Sequence, residues 1–288
     1  MTRVTANGLG FEVLDMGPRD GIPVLMIMGY ACQLLHWQPS LVDGLIERGC
    51  RVIRFDNRDS GLSEGFDHQG VPTPGVDRPA YTIDDMADDA VGILSALEIG
   101  QAHVVGASMG GMIAQSVAGR HSDRVRSLVS IMSTPGDPDL PPASDEAMTA
   151  LSQPPPDPND REACVEAHIR FWRIIGSPAY AAGEAELRAL AESAIDRAVR
   201  PMGSARQLGA ILGSPPRGDL LRGVSRPALV IHGEADPLVP IDCGARTASH
   251  IKGAKFERVA GLGHDFTRAN AHLYERAIGG FVLGVEGG

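Results

Sequence analysis

One stretch, Val104-Val105-Gly106-Ala107-Ser108-Met109-Gly110-Gly111, constrains the fold of this chain more than any other. The apolar, β-branched run His103 to Val105 reads as the end of a buried strand. Met109 to Arg120 then takes up helical spacing, with Met112, Ile113, Gln115, Ser116 and Val117 in register. Between them stands a serine flanked by glycines. A serine on a sharp strand-to-helix turn is held at a strained backbone angle, with its hydroxyl pointing away from the sheet. A side chain at 106 or 110 would collide with the facing strand or helix, and glycine has no Cβ to do so. The helix that follows directs its first N–H groups and its positive end at any charge developing beside Ser108. Two blander readings are a plain loop before a helix and a phosphate-binding turn. The second calls for Gly-x-x-x-x-Gly-Lys-Ser/Thr, and the only lysines in the chain are Lys252 and Lys255.

The rest of the chain repeats a strand–helix rhythm around this turn. Arg3 to Ala6 and Leu9 to Met16 flank Asn7-Gly8, a strong hairpin signal. Val24 to Met28 is a continuous apolar run of the kind covered on both faces. Gln38 to Glu47 reads as a helix, Arg51 to Phe55 as a strand, and Ile83 to Leu97 as an amphipathic helix capped by Thr82. Val125 to Met132 is another buried-type strand. The rhythm breaks at Thr134. Prolines 135, 138, 141, 142, 154, 155, 156 and 158 forbid a long helix or central strand across Pro135 to Asp160, which shows no period. Helical segments return at Arg161 to Ile175, Glu184 to Val199 and Pro201 to Leu212. The strand–helix order resumes with Ala228 to His232, Ile241 to His250, Phe256 to Val259 and Asn270 to Leu283. This order predicts a mostly parallel eight-stranded sheet with helices on both faces. The core is expected over residues 1–134 and 224–288, with 135–223 inserted as a helical lid.

Composition narrows the function classes. A chain of 288 residues can bury a sizeable core without staples. The formal net charge of −10 argues against nucleic acid or an anionic membrane as partner, since both want a basic face. Cys32, Cys50, Cys164 and Cys243 lie far apart with no Cys-x-x-Cys pair, which fits reduced thiols. No long apolar segment reads as a signal peptide or membrane span, so a cytoplasmic protein, monomer or homodimer, is expected. No His-Glu-x-x-His and no calcium-loop spacing occurs, and neither metal nor other cofactor is expected.

A serine hydroxyl is a poor nucleophile unless a base takes its proton and a carboxylate steadies the resulting cation. Two later loops can supply both. Gly233-Glu234-Ala235-Asp236-Pro237 follows one strand, and Ala260-Gly261-Leu262-Gly263-His264-Asp265-Phe266 follows the next. In a parallel sheet the loops after the strands open on one edge, so Asp236 and His264 can converge on Ser108. Prolines 237 and 240 stiffen the acid loop, and Gly261 and Gly263 let the backbone turn His264 inward. Glu234 and Asp265 are nearby carboxylates read as solvated, and Asp137 is a weaker acid candidate in a proline-rich setting. His232, at a strand end, reads as a packed histidine rather than a base. His36, His68, His103, His121, His168, His250 and His272 default to core or surface. The loop Asp56 to Ser63 reads as a tie between strand ends. Gly29, Trp37, Phe171 and Trp172 are candidate pocket residues, with Tyr180 beside them.

On these motifs the chain resembles the α/β-hydrolases over essentially its whole length. Within them it is most similar to the aclacinomycin methylesterase-like carboxylesterases. The matching stretches are Met28-Gly29, Val52 to Gly61, Ala102 to Gly110 and the acid and base loops. The resemblance implies Ser108 as nucleophile, His264 as general base and acid, and Asp236 as its orienter. It implies an oxyanion hole made by the backbone N–H groups of Tyr30 and Met109. Where many relatives carry His-Gly, this chain has Met28-Gly29, which leaves the backbone donor in place and removes any histidine contact. The expected function is hydrolysis of a small to medium carboxylic ester through an acyl-enzyme. Lactone hydrolysis, carbon–carbon bond hydrolysis and cofactor-free perhydrolysis are rivals on the same triad, and a ligand receptor with a hydrolase fold is the rival from outside catalysis.

Overall fold

A computed structural model describes residues 2–73 and 77–288. Met1 and residues 74–76, which the expected core range 1–134 includes, lie outside the described residues. β1 (Thr2–Ala6) and β2 (Leu9–Met16) form the expected hairpin. Asn7 and Gly8 both have positive φ, 51° and 78°, as a tight turn matched to strand twist requires. β2 then pairs antiparallel with β4 (Cys50–Phe55). Every later pairing is parallel. β3 (Ile22–Ile27) lies between β4 and β5 (Ala102–Ala107), and β6 (Val125–Ile131), β7 (Ala228–Gly233) and β8 (Lys255–Val259) follow in order. The eight strands run β1-β2-β4-β3-β5-β6-β7-β8.

Helices cover both faces, which is why β4, β5 and β7 are buried at every residue. α2 (Ile83–Ala96) and α3 (Met109–Arg120) press Ile83, Met86, Ile93, Leu94, Ile113 and Val117 onto one face. α1 (Pro39–Glu47) and α10 (Ala271–Glu286) press Leu41, Leu45, Tyr274, Ile278 and Val282 onto the other. Each large apolar side chain buried this way contributes roughly 1.5–3 kcal/mol. α2 starts where the sequence says it should: the Thr82 hydroxyl accepts from the Asp85 amide, and the Asp85 carboxylate accepts from the Thr82 amide.

Five helices separate β6 from β7. α5 (Arg161–Ile175), α6 (Glu184–Arg197) and α7 (Pro201–Gly213) fall close to the expected spans. Two short ones were hidden. α4 (Asp145–Leu151) stands in the interval between the two proline groups, started by the Ser144 hydroxyl accepting from the Ala147 amide. A single two-turn helix leaves too little periodicity to show against eight prolines. α8 (Gly218–Arg222) packs on α3 and α9 (Ile241–His250).

The apolar cluster shared by α5 and α6 is small, with Val165, Ile169 and Ala191 fully buried and Leu187 and Ile195 partly so. Polar ties do much of the remaining work. They run from the loop after β4, expected only to join strand ends, to the C-terminal end of α6 and to α7. Asp56 meets Arg197 at 2.7 Å, and the Gly61 carbonyl accepts from Arg200 at 2.8 Å. Asp59 receives a two-pronged contact from Arg206, at 2.7 and 2.8 Å, with neither side chain exposed. Burial alone would raise the Asp59 carboxyl. Arg206, the Phe66 amide and the Tyr81 hydroxyl outweigh it and hold the group below the usual carboxylate range.

Removing one partner of a buried pair strands the other charge. Arg206→Met is therefore expected to lower the unfolding free energy by about 3–5 kcal/mol in urea titration. A loss below about 1 kcal/mol, the range of a surface pair, would show that the clamp carries no load.

Candidate active site

The parallel strands carry Ser108, Asp236 and His264 to one edge of the sheet, at the C-terminal ends of β5, β7 and β8. Ser108 sits at φ 57° and ψ −121°, a left-handed conformation that costs a non-glycine residue on the order of 1–3 kcal/mol. Its amide donates to the Ile131 carbonyl at 2.9 Å, and its carbonyl accepts from the Ser133 hydroxyl at 2.8 Å. The glycines are there for space. A Cβ at Gly106 would lie 2.0 Å from the Gly110 carbonyl oxygen, and one at Gly110 would lie 2.0 Å from that of Ile27. Ser108 keeps accessible surface while its neighbour Met109 is fully buried, so the turn lifts one side chain out of the sheet.

Gly29 closes on the other side of the serine, where an added Cβ would come within 3.0 Å of the Ser108 Cβ. The segment after β3 therefore runs directly against Ser108. Ala31 has φ 55°, and the Asn57 side-chain amide donates to the Met28 carbonyl at 2.8 Å. Gln207 of α7, fully buried, accepts from the Ala31 amide at 2.9 Å and donates to the Arg58 carbonyl at 2.8 Å. Among the described residues nothing engages the Tyr30 or Met109 amide, the two donors expected to face an oxyanion.

His264 and Asp236 meet: Nδ1 lies 2.8 Å from Oδ2, and both residues are buried. The other carboxylate oxygen accepts from the Leu238 and Val239 amides at 2.9 and 2.8 Å, which fixes the acid. With Nδ1 donating to the carboxylate, Nε2 carries the free lone pair of a neutral imidazole, as a general base needs. Gly261 has φ 69°, and a Cβ at Gly263 would lie 2.5 Å from the Gly176 carbonyl oxygen. The His264 amide donates to the Ile175 carbonyl at 2.8 Å, so the end of α5 is stitched to the histidine loop.

The neighbouring acids part company with expectation in one case. Asp265 is not solvated. It is buried, takes the Ser177 amide at 2.9 Å and the Ser177 hydroxyl, and receives the Asn270 side-chain amide at 2.9 Å. Of its partners Asn270 is five positions away, while Ser177, which meets both carboxylate oxygens, is 88 positions away and invisible to local sequence. Glu234 pairs with Arg258 at the surface, and Asp137 is occupied by Arg246 and His250. His232 is a packed histidine, its Nε2 donating to the Val239 carbonyl at 2.7 Å behind the acid loop.

Trp37, expected as a pocket residue, is a core residue instead. It is 1% exposed and packs on Phe266 with ring centroids 4.8 Å apart. Phe171 and Trp172 keep accessible surface. Trp172 sits with His36 and His168 in one aromatic group that sequence spacing could not have joined. Among the described residues no three histidine, cysteine or acid side chains are grouped to hold a metal ion, and no helix is long and apolar enough to cross a membrane.

Burial pushes the His36 imidazole down to about 4, with Arg197 adding to the effect against the Gln33 hydrogen bond. It pushes His168 down to about 3, with His36 adding to it. Both stay neutral in the folded chain while the unfolded chain protonates them near 6.5. The unfolded state therefore binds more protons as pH falls below 6.5, and stability is lost through that window. Thermal melts from pH 7 to 4.5 should show the Tm falling less steeply for His168→Leu than for the parent chain. Parallel slopes would deny His168 this contribution.

The family model described as the alpha/beta hydrolase fold matches residues 22–267. RutD of Caulobacter vibrioides, a candidate carbamate hydrolase by its name, is 29% identical, with 99% of this chain and 98% of that protein covered. The rhodomycin D methylesterase DnrP of Streptomyces peucetius is 27% identical over 86% of this chain and 87% of its own length. This is the distant relationship that the methylesterase-like motifs imply. Among solved structures, the esterase RhEst1 of a Rhodococcus species superposes with a TM-score of 0.78 at 18% identity, covering 98% of both chains. A meta-cleavage product hydrolase of Pseudomonas fluorescens gives 0.75 at 22% identity, covering 99% of this chain and 98% of that one. The eight-stranded sheet, the serine turn and the match across residues 22–267 together make this chain a member of the alpha/beta hydrolase family.

Proposed function

We propose that this protein hydrolyses carboxylic esters through an acyl-enzyme formed on Ser108. The observation that carries the reading is the strained, accessible serine on the same sheet edge as the His264–Asp236 pair. Ser108 attacks the ester carbonyl, and His264 takes its proton at Nε2. Asp236 holds the imidazole in the required tautomer and steadies the imidazolium. The negative oxygen of the tetrahedral intermediate is received by the Tyr30 and Met109 amides. A donor of this kind contributes roughly 3–4 kcal/mol. His264 then protonates the leaving alcohol, and water repeats the cycle to release the acid. The helices between β6 and β7, residues 135–223, act as the lid over this edge.

The rhodomycin D methylesterases are named for an ester substrate, which supports the ester reading. The RutD relatives support carbamates as a second class of acyl donor, since the same attack on an sp² carbon applies. A panel of p-nitrophenyl esters from acetate to decanoate, with a phenyl carbamate alongside, separates the two. Multiple turnovers of the esters are expected, with kcat reduced by on the order of 10⁴ in Ser108→Ala and by a similar factor in Asp236→Asn. Turnover of Ser108→Ala at the parent rate, or a parent enzyme silent on every ester, would sink the proposal.

Gln207 acts on this chemistry through the backbone. Gln207→Leu leaves the Ala31 amide and the Arg58 carbonyl without their side-chain partner and loosens the segment carrying the Tyr30 amide. Its kcat is expected to fall tenfold or more with KM little changed, since the oxyanion contact forms only in the transition state. A change confined to KM would assign Gln207 to substrate binding instead.

A further inference from the structure

Six buried side-chain nitrogens in the described residues have no hydrogen-bond partner; two of them, His36 Nε2 and His168 Nε2, belong to neighbouring rings, and a third, Arg197 Nη2, belongs to a guanidinium close enough for its charge to bear on His36. His36 follows Gly29 and Tyr30 on the segment that runs past Ser108, and it is 3% exposed. His168 lies on α5, with the two imidazole centroids 5.5 Å apart. Trp172, one turn further along α5, sits 6.0 Å from both rings, and Phe171 meets Trp172 edge-on at 6.2 Å. Arg197 Nη1 donates to the Gln33 side-chain oxygen at 2.8 Å, and the Gln33 backbone meets His36 Nδ1. Three residues beyond Trp172, the Ile175 carbonyl accepts from the His264 amide. The cluster thus bridges the segment against Ser108 and the loop carrying His264.

The hydrogen-bond sense of these atoms can be worked out. His36 Nδ1 lies 3.0 Å from the Gln33 amide and 3.1 Å from the Gln33 carbonyl, so Nε2 is a donor in one neutral tautomer and an acceptor in the other. Arg197 Nη2 is a donor by its chemistry. Its charge is already matched by Asp56 at 2.7 Å, so it offers a hydrogen bond rather than a free cation. A neutral imidazole at His168 adds one further site, donor or acceptor by tautomer. One fixed donor and two imidazoles, each donor or acceptor by tautomer, suit an oxygen that can both accept and donate, which is a hydroxyl. A carboxylate would suit them less, because neutral rings and a neutralised guanidinium offer it no net charge. Leaving such nitrogens unpaired is costly, which makes the site selective for a group that pairs them.

We propose that His36, His168 and Arg197 form a polar subsite for a substrate hydroxyl, with the partly buried Trp172 and Phe171 holding the aromatic ring that bears it. The substrate class is then hydroxyaryl esters. This rests on the ester-hydrolase reading, and the test keeps the two apart. Methyl esters of benzoic, phenylacetic and 3-phenylpropanoic acids are compared, each with and without a 4-hydroxyl. For at least one chain length the hydroxylated member is expected to have a kcat/KM about tenfold or more above its partner. That ratio should collapse towards one in His36→Leu and in His168→Leu, and be partly restored in His168→Gln. No preference in any pair, or a preference that survives both leucine variants, would overturn the subsite; a buried water satisfying the same nitrogens predicts that result.

If no methyl ester is turned over, binding decides instead. In Ser108→Ala, methyl 4-hydroxyphenylacetate and methyl phenylacetate are titrated against tryptophan emission, with Trp172→Phe to assign the signal. Tighter binding of the hydroxylated ester that is lost in His168→Leu supports the subsite even though the hydrolytic reading has failed. Equal affinities overturn it.

Discussion

The left-handed backbone at Ser108 is the constraint to which its surroundings are fitted. A non-glycine residue does not hold φ 57° unless its neighbours leave no alternative. Here β6 takes its amide, the Ser133 hydroxyl takes its carbonyl, and Gly106 and Gly110 let β5, α3 and β3 close to distances that any Cβ would prevent. The cost is offset by the buried parallel sheet on which the turn is mounted. The gain is a hydroxyl that projects from the sheet edge without a flexible loop beneath it, next to amides at the start of a helix.

A second layer of order comes from charge. The loop after β4 gathers Asp56 and Asp59, and the inserted helices answer with Arg197, Arg200 and Arg206. At the opposite flank, Asp265 seizes both the amide and the hydroxyl of Ser177 just past α5. The inserted helices are therefore fastened both to the loop after β4 and to the loop carrying His264. Their own shared apolar cluster is too slight to account for this by itself.

Much of the molecule could be read from the chain. Asn7-Gly8, Thr82 with Asp85, the apolar strand runs and the glycines about Ser108 are local signals, each with a local cause, and they put the strands and long helices where they stand. The pairing of His264 with Asp236 was legible because parallel topology brings strand-end loops to one edge whatever their separation in sequence. What could not be read was side-chain pairing across long distances. Asp265 looked solvated because Ser177 is remote, and Trp37 looked like a pocket residue because nothing in its neighbourhood announces Phe266. The loop after β4 looked like a strand tie because its arginine partners lie more than a hundred residues away. The short helices α4 and α8 were missed for a different reason: one or two turns carry too little periodicity to be heard among prolines.

The division of labour among the inserted helices has a consequence for diversification. Anchoring falls to the end of α6, to α7 and to Ser177 just past α5, while the inserted aromatic and imidazole groups of the proposed hydroxyl subsite come from the middle of α5. Apart from Arg197, which belongs to both sets, the positions that hold the insert in place are separate from the positions that would recognise a guest. Randomising His168, Phe171 and Trp172 leaves every clamp residue untouched, so libraries drawn there sample new recognition surfaces on a scaffold whose attachment does not have to be rediscovered each time.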